Sequence, residues 1–131
     1  MSTQHFLQSL LKRGHPNARL RNVRTGTDVA TTLETAFSSA DRNRGLLGRE
    51  GLAPGHALII APTNLVHTFA MRFAIDIIFV SKSGRVIKVR RAVPPRRIAG
   101  AWGGFAVVEL AAGGVDVSGT RAGDSIEVLP A

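Results

Sequence analysis

The stretch Leu65-Val66-His67-Thr68-Phe69-Ala70-Met71-Arg72-Phe73-Ala74-Ile75-Asp76-Ile77-Ile78-Phe79 decides how the chain folds. Its odd positions are apolar throughout except for His67, whereas Thr68, Arg72 and Asp76 stand at even positions among small or aliphatic residues. A period of two marks a β-strand, because successive side chains leave the backbone on opposite sides. Strands average about 5–6 residues, so a run this long is expected to bend, near Phe73-Ala74.

Short extended segments continue on both sides. Downstream, Ser81-Lys82-Ser83-Gly84 closes a hairpin into 85–93, and further strands are expected at 105–111 and 125–129, with a turn or single helical turn at 113–119. Upstream, 18–25 and 29–36 read as a hairpin around Gly26-Thr27-Asp28, and 57–61 as a strand between the breakers Pro54-Gly55 and Pro62-Thr63-Asn64. Ser38, Ser39 or Asp41 can cap a short helix running to Leu47 and stopped by Gly48. Strands without β-α-β alternation predict a mainly β, single-domain antiparallel β-barrel or sandwich with one or two short helices, over 18–131. Residues 1–17 read as a flexible lead segment.

Composition narrows the function. The 131-residue chain has no cysteine, which excludes disulfides, thiolate metal sites and a cysteine nucleophile. Its apolar runs fall short of the roughly 20 residues of a membrane helix, and the N-terminus lacks the charge-then-apolar order of a secretory signal, so no membrane span and a cytoplasmic location are expected. The formal charge of +8 is segregated. Residues 12–24 and 85–97 contain arginine and lysine and no acid, whereas 98–131 carries four acids against one arginine. Such a surface attracts polyanions, nucleic acid included.

Several separated motifs resemble one family: Arg44-Gly45-Leu46-Leu47-Gly48-Arg49, the stretch from Val66 to Phe79, Gly84-Arg85-Val86, Val93-Pro94-Pro95, Val108-Glu109-Leu110-Ala111-Ala112-Gly113 and Gly123-Asp124. In that order they look like the bacterial and archaeal family named domain of unknown function 192, over about residues 18–129. The resemblance implies a small, mainly antiparallel β domain with one or two short helices, and carries over no activity, substrate or catalytic residue. Ala74 stands where the family usually has proline, which leaves the expected bend less firmly imposed by the backbone.

The residues least explained by folding alone are His67, Thr68, Met71, Arg72 and Asp76 on the long strand, Arg96, Arg97 and Trp102 in the 94–104 loop, and Glu109 among apolar neighbours. His67 and Met71 share a strand face but stand about 13 Å apart there, too far for one ion without a bend, so no metal site or cofactor is expected. Arg72 and Asp76 pair only through a bend or a neighbouring strand. Glu109 is costly inside a core unless an arginine partners it. The expected role is non-catalytic: a binding domain for a small molecule or a protein, with its site between the 65–76 strand and the 94–104 loop. A nucleic-acid-binding β-domain is the first alternative, and a hydrolase or metal-dependent enzyme the second.

Overall fold

The fold is that of a computed structural model, which describes residues 5–11 and 17–131. Ten strands and two short helices follow in order: β1 (Ala18–Asn22), β2 (Asp28–Ala30), β3 (Thr32–Ala36), α1 (Ser39–Arg44), β4 (His56–Ile60), β5 (Leu65–His67), β6 (Ile75–Val80), β7 (Val86–Val93), β8 (Ile98–Gly100), β9 (Ala106–Ala111), α2 (Gly114–Ser118) and β10 (Ile126–Pro130). They form a five-stranded sheet in the order β3-β4-β9-β6-β7, a three-stranded sheet β10-β1-β2 and a two-stranded ribbon β5-β8. All pairs are antiparallel except β3 and β4. That parallel pair needs a crossover, and residues 37–55, with α1, supply it.

The mainly β expectation with short helices holds, and the sheets do not close into a barrel. The five-stranded sheet is covered on both faces. On one, Ile59, Ile78, Val80 and Val108 pack against Leu20, Val29 and Ile126 of the three-stranded sheet and against Leu7. On the other, Leu58, Ile60, Ile77, Phe79 and Val107 pack against Leu46, Met71 and Ala99. A sheet covered twice needs apolar side chains of both parities, and every residue of β6 is buried. The two sheets meet at a corner, where Arg85 bridges Ser125 and the Ile126 amide donates to the Gly84 carbonyl at 2.8 Å.

Three expectations need correction. The long strand 65–79 is two strands separated by 68–74, a far wider break than a bend at Phe73-Ala74. Leu65, His67 and Phe69 are exposed, so the apolar stripe at its start faces solvent. The expected strand 29–36 changes sheets at Thr31, whose amide donates to the Gly55 carbonyl. The helix begins as expected, with Ser38 Oγ accepting from the Asp41 amide, but ends at Gly45 rather than Gly48. Part of the lead segment, residues 1–4 and 12–16, lies outside the described residues; within the remainder, Leu7 is buried in the core and the Phe6 amide donates to the Lys82 carbonyl.

Candidate functional site

Two irregular segments cover the Leu58–Ile77 face of the central sheet. The first follows α1: Gly45, at φ 47°, turns the chain off the helix, and Leu46 drops into the core as its anchor. The second follows β4: the Thr63 amide donates to the Phe105 carbonyl, Thr63 Oγ1 donates to the Leu65 carbonyl, and the ribbon then lifts away from the sheet until Met71 returns to it. A cavity of about 420 Å³ opens between the two segments. Ile60 and Glu109 form its floor, Leu47, Val66 and Met71 are wall residues, and Arg42, Arg44 and His67 stand at its rim.

Glu109 is the anomaly. It lies on β9 opposite Leu58 of β4 and Ile77 of β6, so its side chain shares their face of the sheet. The residue is 3% exposed, and among the described residues no donor hydrogen-bonds its carboxylate. Burial pushes its pKa up to about 7, opposed only by the charge of Arg49. Arg49 is committed elsewhere, donating through both terminal nitrogens to Glu34 at 2.8 and 2.9 Å. That pairing holds Glu34 below the usual carboxylate range. The expected arginine partner of Glu109 is thus near but shared, and burial leaves the acid titrating well above the usual carboxylate range in a cavity lined by both apolar and polar side chains.

The expected site residues separate into groups. His67, Met71 and Glu109 line the one cavity. Thr68 is buried and pins the loop after β7: its hydroxyl donates to the Pro94 carbonyl at 2.7 Å and accepts from the Arg97 amide at 2.8 Å. Asp76 is buried as well, accepting from the amides of Ala92, Gly113 and Val115, which secures the bulge in β7 and the start of α2. Arg72 does not pair with Asp76; it lies exposed, 3.8 Å from Glu50. Arg96 and Arg97 are exposed, and Trp102 is 95% exposed beside a separate recess. Arg42, Arg44 and Leu47, from the crossover, escaped the sequence reading as site residues. Arg44 and Leu47 belong to the motif from Arg44 to Arg49, whose pattern is that of a helix and its end, and Arg42 precedes it. Among the described residues no three histidine or acid side chains come together in a way that could hold a metal ion.

The model of the family DUF192, described as "Uncharacterized ACR", matches residues 21–128. The chain belongs to the DUF192 family. Two crystal structures resemble this DUF192 chain. One, from Sinorhizobium meliloti 1021 and described as that of a suggested transcription regulator, is 22% identical, with 86% of this chain and 92% of that one covered at a TM-score of 0.74. The other, a protein of unknown function from Novosphingobium aromaticivorans DSM 12444, is 24% identical, with 85% and 83% covered at a TM-score of 0.73. At such identities the likeness is one of fold. No curated protein matches the chain.

Proposed function

We propose that this DUF192 chain is a binding domain whose small-molecule site is the cavity floored by Glu109. The observation that carries the reading is the carboxylate itself: a titratable group on the central strand of a doubly covered sheet, with an arginine shared with Glu34 and, among the described residues, no hydrogen bond of its own, opening into about 420 Å³ of space. Left to folding alone, that position favours another aliphatic side chain, since an unpaired buried acid costs several kcal/mol, on the order of 3. A ligand that presents a hydrogen-bond donor to Glu109 and an apolar body to Ile60, Leu47 and Met71 offsets that cost. Arg42 and Arg44 at the rim suit an anionic group at its far end.

Methyl NMR of the labelled protein tests the reading with a fragment library of amines, amides, polyols and their carboxylated forms. Donor-bearing fragments are expected to shift the Ile60, Leu47 and Met71 methyl signals together, with the effect weakened in Glu109→Gln. If no fragment moves those methyls, or if the hits map elsewhere and ignore Glu109→Gln, the proposal fails.

A further inference from the structure

Between Glu50 and Glu109 the chain contains a single acid, Asp76, and that residue is buried with its carboxylate taken by three amides. Residues 51–108 therefore contribute no exposed acid to the surface, although they carry eight arginines and lysines. Acids from elsewhere reach two of these, Glu50 at Arg72 and Asp116 at Arg91.

The β5–β8 ribbon is set into this basic surface. Its register pairs His67 with Ile98 and Leu65 with Gly100, so Leu65 and Ile98 face outward, 59% and 62% exposed. Lys88 reaches the ribbon, Nζ donating to the Gly100 carbonyl at 2.9 Å. Beyond Gly100 stands Trp102, which with Asn64, Leu65 and Ala101 borders a recess of about 270 Å³. Gly100 lets β8 pack closely on the Asn64–Leu65 segment, since a Cβ there would lie 3.0 Å from Leu65 Cδ1 and 3.1 Å from the Asn64 carbonyl oxygen. Packing gives no reason for a tryptophan at this degree of exposure.

We propose that this surface binds single-stranded nucleic acid, with one base stacked on Trp102 in the recess and phosphates further along the strand on the exposed Arg96 and Arg97, which lead into β8. The charge selects a polyanion, and the recess selects among polyanions. A lipid surface would also take the projecting Leu65, Ile98 and Trp102, but it makes no use of a polar group set beside the indole, and an acidic peptide pairs with cations without needing an aromatic wall. A base fits beside an indole, and the exposed Asn64 amide supplies both a donor and an acceptor for its edge. Phosphate contacts supply most of the affinity and make it salt-dependent. The recess adjoins the Glu109 cavity at Leu65, which lines both, but Trp102 lies outside that cavity, so Trp102→Ala and Glu109→Gln test the two readings independently.

Trp102 is the only tryptophan, so its emission reports the recess directly. The probe is an oligothymidylate of about 20 nucleotides, compared with an abasic oligonucleotide of equal length and with phosphatidylglycerol vesicles. The oligothymidylate is expected to bind at low salt, to quench Trp102 and to lose affinity steeply as salt rises. Trp102→Ala should weaken it about tenfold while leaving the salt slope unchanged, and should not alter binding of the abasic chain. Arg96→Ala with Arg97→Ala should flatten the slope by about one to two. Circular dichroism melts of the variants are expected to match the wild type, since the substituted side chains are exposed. Absence of binding at low salt, equal affinity of wild type and Trp102→Ala, or a blue shift with vesicles alone would each overturn the proposal.

Discussion

Glu109 and Asp76 show two ways a buried acid is managed on one sheet. Asp76 has three amide donors, and removing its carboxylate strands all of them. Asp76→Ala should cost roughly 3 kcal/mol by urea unfolding, about 1–3 kcal/mol for the buried Val115 amide left unpaired and less for each of the part-buried Ala92 and Gly113 amides. A loss below 1 kcal/mol would show that the carboxylate is not what holds the β7 bulge and α2. Glu109 has no such donors, and its pKa of about 7 lies above that of an unfolded glutamate. The folded state therefore holds a proton that the unfolded state has released between those two values. Its contribution to stability is complete below pH ~4.5, declines as pH rises and is gone above about pH 7, a difference of roughly 3 kcal/mol. Glu109→Gln carries no ionisable proton and escapes the decline. The variant should match the wild type near pH 4.5 and exceed it at pH 8, as read by urea midpoints at both values. Parallel curves for the two proteins would place the Glu109 pKa at its ordinary value.

At the scale of elements, the sequence marked breakers and caps well. The strand 57–61, the hairpin entering at Gly84, the last two strands and the Ser38 cap all lie within a residue or two of their expected places. Its reading went astray between Leu65 and Phe79 because alternation defines a face without saying what that face meets. In β5 the inward residue is Val66, of the opposite parity to the stripe, and in β6 both parities are inward. The site was legible to the same extent: His67 and Glu109 stood out as exceptions to local apolar patterning, and Met71 as a thioether sharing a strand face with His67. The arginines of the crossover did not, since only the parallel β3–β4 connection brings them over β9. Thr68 ties these elements together. Its backbone and hydroxyl make four bonds of 3.1 Å or shorter to residues 94–97. Thr68→Val keeps the shape and deletes the hydroxyl, leaving the Arg97 amide and the Pro94 carbonyl unpaired. A cost of about 2 kcal/mol is expected, with faster amide exchange confined to Arg97 and the ribbon. Unchanged exchange at Arg97 would mean the backbone bonds alone secure the ribbon.

The two sheets share little ladder, so beyond the apolar cluster between them they are joined at the corner where β7 and β10 begin. Leu7 is fully buried in the cluster that joins both sheets, and the neighbouring Phe6 amide is tied to Lys82 in the turn entering β7. Gly84 completes the corner. It adopts φ 90°, and a Cβ there would lie 2.6 Å from the Ile126 carbonyl oxygen and 3.2 Å from Phe6 Cβ. An alanine at that position meets backbone on one side and the lead segment on the other, with no direction in which to yield. Truncating Leu7 leaves a void between the sheets instead, and a buried Leu→Ala change costs about 2–5 kcal/mol. The two lesions should act on one cooperative unit if the corner couples the sheets, so Leu7→Ala and Gly84→Ala should each lower the urea midpoint without splitting the transition. Because a Cβ at Gly84 would press on Phe6, in the segment that Leu7 anchors, the double variant should lose less than the sum of the single losses. Amide exchange resolves the alternative: protection of β1, β2 and β10 lost well before that of β4, β6 and β9 would show the three-stranded sheet opening by itself. Loss of both sets together would place the Leu7 corner among the contacts that make the chain a single folding unit.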